Sequence, residues 1–420
     1  MHDRNVTYDV VVVGGGSAGV AAAVGAARMG ASTLLLEKNP YFGGAATHSS
    51  VLTYCGFFAQ QDPLLQVVGG VGNELLERLR RYGVYREPYR NPRTGNVIVP
   101  LDSELTKLAL DDLVLQHRVT PLLHCQVIEV ERSGDCVSTV IGYDHAGKLR
   151  ISAQAFVDAS GDADLSALSG AEVVQGSPEG MVQASTLVMR IGGVHPSVSL
   201  DKSIFEQAIQ KAKQEGYHHL SKERGMLLRL PKSGDVLAMF ADEDVDALQS
   251  AQLTKAEISA RKQAWEYMDV FCKYIPGFEN AYLVQTGPAM GVRETRHVLG
   301  NYILSGEDVV NGIRHDDAVA RGGWPIEIHR PGKPAEYLSI KNQAYYDIPL
   351  RSLTVRGFKN LWCAGRIISC DALAFASVRV MGTAFATGHA AGVAAAYYAA
   401  TKKYDVTAIR QELIQQGALI

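Results

Sequence analysis

A chain of 420 residues, 47% of them apolar, can bury a large core and is long enough for two or three domains. Its formal net charge of -3, with 41 Lys and Arg spread without long basic runs, leaves no electrostatic footprint for nucleic acid or an anionic lipid surface. Six cysteines without a C-x-x-C pair point to reduced, mostly buried thiols, with neither a redox dithiol nor a zinc knuckle.

The start, Met1-His2-Asp3-Arg4-Asn5, is charged and runs straight into an apolar stretch, which leaves no room for a signal peptide and makes a cytoplasmic location the expectation. Tyr8 to Glu37 reads as strand, helix, strand, and Asn39 to Ser50 as an irregular glycine-rich link. Helices are expected near Val71 to Tyr82 and Ser103 to His117, on either side of the loop Glu87 to Asn96. Pro121 to Ser160 alternates like strands, with turns at Ser133-Gly134-Asp135 and His145-Ala146-Gly147. This predicts a three-stranded antiparallel excursion that rejoins the main sheet at Phe156-Val157.

From about Ser185 to Tyr345 the texture changes, with long polar helices over Lys202 to Glu215 and Thr254 to Tyr274. A discontinuous first domain, 1–185 and 346–420, is therefore expected around an inserted domain, 186–345. The last strand, Asn360 to Ala364, precedes a helix of small residues. Met381 to Ala400 lacks Asp, Glu, Lys and Arg and is long enough to cross a bilayer, but three glycines, two threonines and His389 make its transfer energy poor. We read it as a helix packed closely against a sheet, with no membrane span.

Gly14, Gly16 and Gly19 form G-x-G-x-x-G directly after Val10 to Val13, the context in which this spacing binds a dinucleotide. Gly14 permits the tight turn, Gly16 lets backbone approach a pyrophosphate, and Gly19 lets the helix pack on the strand. The positive end of that helix then faces the phosphates. Glu37 ends the second strand where a carboxylate can accept hydrogen bonds from a ribose, and a 2'-phosphate there would be repelled, so NADP is disfavoured. The fingerprint alone leaves NAD and FAD open. "GGVGNELL" (Gly69 to Leu76) lacks a preceding strand and reads as a helix start.

Four further stretches carry a resemblance: "EKNPYFGGAATHS" (Glu37 to Ser49), "VDASGDAD" (Val157 to Asp164), "PAMGVRETRHVLGNYIL" (Pro288 to Leu304) and "NLWCAGRIISCDALAFASVRVMGTAFATGHAAGVAAA" (Asn360 to Ala396). From Tyr8 to Ala396 the chain resembles the FAD-dependent oxidoreductases of the glutathione-reductase fold, in the branch shared by succinate dehydrogenase flavoproteins. The resemblance implies FAD and an α/β fold: a discontinuous FAD-binding Rossmann domain with an inserted α+β substrate domain. It implies a cofactor-binding set of Gly14, Gly16, Ser17, Ala18, Gly19, Glu37, Lys38, Gly43, Gly44, Val127, Ala159, Ser160, Gly161, Gly365, Arg366, Asp371, Gly382, Thr383 and Ala384. Asp371 matches an acid near the ribityl chain and pyrophosphate. His297 stands where one group of relatives carries arginine.

A flavin that accepts hydride develops negative charge at its pyrimidine edge, and a helix N-terminus carries roughly half a positive charge. The N–H groups of Gly382, Thr383 and Ala384 are expected at that edge. Arg293, Glu294 and Arg296 are expected in a strand, where period two puts Arg293 with Thr295 and Glu294 with Arg296. The arginines either pair with Glu294, tying the insert to the FAD domain, or hold an anionic or polar substrate group above the flavin. His48 is a candidate base, a candidate attachment point for flavin, or a residue that packs or hydrogen-bonds the cofactor. Tyr217-His218-His219 and His315 read as loop histidines, and no metal ligand set is expected.

The expected activity is that of a dehydrogenase or oxidase, removing hydride from a small polar metabolite and passing electrons to oxygen or a small carrier. Alternatives are a flavin monooxygenase reduced by NAD(P)H and a non-catalytic FAD-binding protein. Homo-oligomers are compatible with either, and no nucleic-acid partner is expected.

Overall fold

Val10 to Val13 are buried on both faces, as β-branched residues are in the middle of a parallel sheet covered on each side. In this computed structural model, which describes residues 4–177, 180–330 and 332–420, the strand Arg4–Val13 is central. Met1, His2 and Asp3, on which the cytoplasmic expectation partly rested, lie outside the described residues. Thr33–Leu36 pairs parallel with it on one side and Gly147–Asp158 on the other; Thr120–Leu122 extends the sheet beyond Thr33–Leu36. The expected excursion is present as Gln126–Ser133 antiparallel to Cys136–Asp144, which in turn pairs antiparallel with the first half of Gly147–Asp158. The second half of that strand pairs in parallel with Leu361–Cys363, so residues 200 positions apart share one sheet.

The helix Ser17–Arg28 follows the first strand, and the long helix Met381–Thr401 lies across it. The reason is steric. A Cβ on Gly388 would stand 2.1 Å from the Ala18 carbonyl oxygen, and one on Gly392 1.9 Å from that of Ala22. The small-residue helix therefore meets another helix most closely while also lying against the expected sheet at Arg4–Val13, Gly147–Asp158 and Leu361–Cys363, and no helix among the described residues is long and apolar enough to cross a membrane. Gly388→Val should force the two helices apart and destabilise the fold by about 3 kcal/mol, measured as a lowered denaturation midpoint.

A second sheet, ordered Met226–Arg229, Val236–Glu243, Ser185–Gly192 and Tyr282–Thr286, is antiparallel throughout. Helices Lys202–Gln214 and Ser250–Tyr274 cover it, and Phe205, Phe240, Tyr267, Phe271 and Phe278 fill the space between. This second core draws on residues between Leu187 and Met290. Val298, Leu304, Val309, Ile326 and Ile340 instead pack into the first core, so the stretch expected as one insert, 186–345, is divided between two cores. Only Arg296–Val298 of the arginine run forms a strand, paired with Val173–Gln175.

Candidate functional site

The Gly14 turn is shaped by contact with the neighbouring strand end. Gly14 has φ +100°, and a Cβ there would stand 2.4 Å from the Ala159 carbonyl oxygen; one on Gly19 would stand 1.6 Å from that of Gly14. Gly16 differs, because the nearest atom to its Cβ position is Gly44 Cα at 3.8 Å. Both Gly16 and Gly44 face a groove of about 350 Å³. Val20 is the first residue of the helix whose N–H bonds back, to the Gly16 carbonyl, so the N–H groups of Ser17, Ala18 and Gly19 have no intrahelical partner.

The groove is lined by Gly14, Gly16, Ser17, Ala18, Glu37, Lys38, Gly44, Val127, Ala159, Ser160, Gly161, Gly365, Arg366 and Ala384 of the expected cofactor set, together with His48. Gly19 and Gly43 support it from behind: the Gly43 N–H donates to the Gly15 carbonyl at 2.9 Å. Glu37 is buried, and its two oxygens accept from the Gly15 N–H at 2.7 Å and from the Asn39 N–H and side-chain amide at 2.8 and 2.7 Å. Its carboxylate thus fixes the glycine turn as well as facing the groove.

Three expected positions differ. Asp371 does not line the groove; it caps the helix Ala372–Val378 by accepting from the Ala374 N–H at 2.7 Å, and it accepts from the Gly306 N–H at 2.9 Å. Gly382 and Thr383 do not line the groove either, because a Cβ on Gly382 would stand 2.5 Å from the Cys55 carbonyl oxygen and Thr383 is buried beneath. The Ala384 N–H is already spent on the Val380 carbonyl at 3.0 Å. The free donors of this helix end are one residue earlier, on Met381, Gly382 and Thr383, and Met381 lines the groove.

A second cavity, of about 760 Å³, opens beside the groove; Ala45, Val292, Arg366, Arg379 and Met381 line both. Arg293 lines this larger cavity, donating to the Ala184 carbonyl and, at 2.7 Å, to Thr186 Oγ1. Among the described residues it has no carboxylate partner. Arg296 lines neither cavity: it donates to the Asp162 carbonyl at 2.8 Å and pairs with Asp164 at 2.5 Å, which ties it to the "GDAD" turn. Nor does Glu294 pair with either arginine; it accepts from the Gln183 N–H at 2.9 Å and lies 3.3 Å from His297 Nε2. His297 stacks on Phe375 with ring centroids 4.4 Å apart.

His48 ends a short helical turn beside the groove, and burial holds its imidazole below the ordinary range. His48 Nδ1, Ser17 Oγ and Thr383 Oγ1 are buried with no hydrogen-bond partner among the described residues. Orphaned groups of this kind, beside glycines that leave a cradle and two helix ends with unspent N–H groups, fit a bound phosphate-linked dinucleotide. No set of three or more His, Cys, Asp or Glu gathers at metal-binding distance among the described residues.

The larger cavity also carries residues that sequence reasoning passed over: Glu327, His329, Tyr337, Lys222 and Arg379. Glu327 accepts from Tyr337 at 2.6 Å and from the Trp324 indole at 2.9 Å. "IEIH" (Ile326 to His329) was the available signal, an acid and a histidine at period-two spacing, but nothing in one sequence says that it meets Arg293.

Over 128 residues, 29% of this chain and 19% of the relative, the protein is 34% identical to a 3-oxosteroid 1-dehydrogenase of Mycobacterium tuberculosis. Over 87 residues, 21% of this chain and 17% of the relative, it is 38% identical to a vinyl phenol reductase of Lactiplantibacillus plantarum. The matched part spans less than a fifth of each relative's own length. A geranylgeranyl bacteriochlorophyll reductase-like structure from Thermoplasma acidophilum aligns over 98% of this chain and 83% of its own at 14% identity, with a TM-score of 0.49. A model of the family described as FAD dependent oxidoreductase matches residues 9–417, nearly the whole chain, and the protein belongs to that family.

Proposed function

We propose that this FAD-dependent oxidoreductase is a dehydrogenase or oxidase acting on a small polar metabolite with an anionic group. FAD, when bound, supplies the acceptor for a hydride and returns the electrons to oxygen or a small carrier. The observation that carries the reading is Arg293, a guanidinium on the wall of the larger cavity with no carboxylate partner among the described residues, next in the chain to Val292, which lines both the cavity and the cofactor groove. An arginine so placed binds a carboxylate in a fixed orientation, which is how a reacting C–H bond is held against an acceptor.

In this reading Gly14, Gly16, Ser17 and Ala18 hold the pyrophosphate, Glu37 and Lys38 the adenosine side, and Ala159 to Gly161 the backbone passing it. Met381 and Arg366 stand at the flavin end, and 1–185 with 346–420 form the cofactor-binding part. Residues 186–345 supply most of the substrate wall. His48, with its unpartnered Nδ1, holds the cofactor by a hydrogen bond.

Anaerobic mixing tests the reading. Small carboxylates should bleach the flavin absorbance quickly, whereas NADH and NADPH should bleach it slowly or not at all. Rapid bleaching by NADPH alone would replace this reading with a monooxygenase.

A further inference from the structure

His329 and Arg293 hang from one dipeptide. The His329 N–H donates to Gln183 Oε1 at 3.3 Å, the His329 carbonyl accepts from the Ala184 N–H at 3.4 Å, and the Ala184 carbonyl accepts from the Arg293 guanidinium. Both side chains line the larger cavity. His329 Nε2 lies 3.4 Å from Glu327 Oε1. Glu327 is itself fixed by Tyr337 directly across a two-stranded ladder, by the Trp324 indole, and by Arg379, which lies 3.8 Å from Oε2. A carboxylate held by two hydrogen bonds and a neighbouring guanidinium orients an imidazole and selects its tautomer.

We infer that His329 is the base that takes the hydroxyl proton of a 2-hydroxy carboxylate whose carboxylate lies on Arg293. This rests on the anionic-metabolite reading above and adds the substrate class and the proton acceptor. The substrate O–H bond breaks, its proton goes to an imidazole nitrogen, and its electron pair becomes the second C–O bond. The C–H pair leaves as the hydride that FAD accepts, and the product is a 2-oxo carboxylate.

Four of the other titratable groups on the cavity wall are committed elsewhere; Tyr89, Arg93, Asp201, Arg224, Lys333, Arg366 and Lys202, the last held below its ordinary range by burial, line it as well. Burial pushes the Tyr337 hydroxyl far above its ordinary range and the Cys55 thiol up to about 12, so both stay protonated. Lys222 is paired with Asp242 at 2.5 Å, and Arg379 is buried against Glu327. Burial, then Arg293, lower His329 to about 4 against the pull of Glu327, so the imidazole is neutral at pH 7 with a lone pair to accept a proton. A substrate carboxylate on Arg293 cancels part of that lowering. The base therefore strengthens when substrate binds.

The test compares holoenzymes of wild type, His329→Gln, His329→Ala and Tyr337→Phe. Lactate, malate and mandelate serve as reductants under anaerobic conditions, and oxalate as a non-reducing anion. In His329→Gln, flavin reduction should slow roughly 10²- to 10⁴-fold while FAD content and oxalate affinity stay near wild type. In wild type, kcat/KM should fall with acid only as the free imidazole protonates near 4, whereas the acid limb of kcat should lie higher, toward the ordinary 6.5. Tyr337→Phe, which removes a donor from Glu327, should move that limb up. Imidazole added to His329→Ala should restore part of the rate.

A His329→Gln enzyme that reduces at the wild-type rate with the same acid limb overturns the assignment and leaves the anionic-metabolite reading standing. If oxalate binds but no hydroxy acid reduces wild type, the substrate class is wrong. If oxalate does not bind and NADPH alone bleaches the flavin, the parent reading falls and takes this inference with it.

Discussion

Gly16→Val is expected to purify as a folded, colourless protein whose affinity for FAD has dropped by more than about a hundredfold, or roughly 3 kcal/mol. The backbone at Gly16 has φ -72°, which valine adopts freely, and its Cβ would meet no protein atom closer than 3.8 Å. The added side chain therefore fits the protein and fills the groove. Gly14 and Gly19 behave differently: a Cβ at either runs into backbone at 2.4 and 1.6 Å, so valine there should prevent folding altogether. Circular dichroism and flavin absorbance of the purified variants separate the two outcomes. A yellow Gly16→Val protein with stoichiometric FAD would mean that the groove is not the pyrophosphate site.

Arg293→Ala should lower kcat/KM for reduction by a small carboxylate about 30- to 1,000-fold, equivalent to roughly 2 to 4 kcal/mol of lost charge pairing. FAD content should be unchanged, because Arg293 lines only the larger cavity. Arg293→Lys should recover part of the loss, since a lysine keeps the charge but cannot reproduce the planar fork that also holds Thr186. Arg296→Ala makes the contrast. With its guanidinium on Asp164 and the Asp162 carbonyl, its loss should loosen the turn and lower stability, leaving KM for the carboxylate near wild type. Equal loss of carboxylate affinity in both variants would contradict this division of roles.

The arginine run marks the limit of reading by period. Alternation places Arg293 and Arg296 on opposite faces only where the chain is a regular strand, and the run becomes a strand only at Arg296. Extended backbone outside a ladder follows its local hydrogen bonds instead, here those of Gln183, Ala184 and Thr186. Asp371 shows a second limit. An acid followed by Ala-Leu-Ala is also a helix cap, and that local bond takes one of its oxygens.

What the sequence determined by itself is the glycine-lined groove. Its signals are local: four consecutive valines, glycines at fixed spacing, an acid at the end of the next strand, and a helix of small residues. Each acts within one turn or one strand, so pattern alone locates it. The larger cavity was decided by tertiary structure, because Arg293 and His329 owe their meeting to hydrogen bonds through Gln183 and Ala184, more than 100 positions away in the chain, whereas Tyr337 reaches Glu327 across a local two-stranded ladder. The division of the expected insert between two cores has the same origin. Apolar residues from Val298 to Ile340 carry no mark of which core they join, and packing against the nearest uncovered surface of the first core settled it.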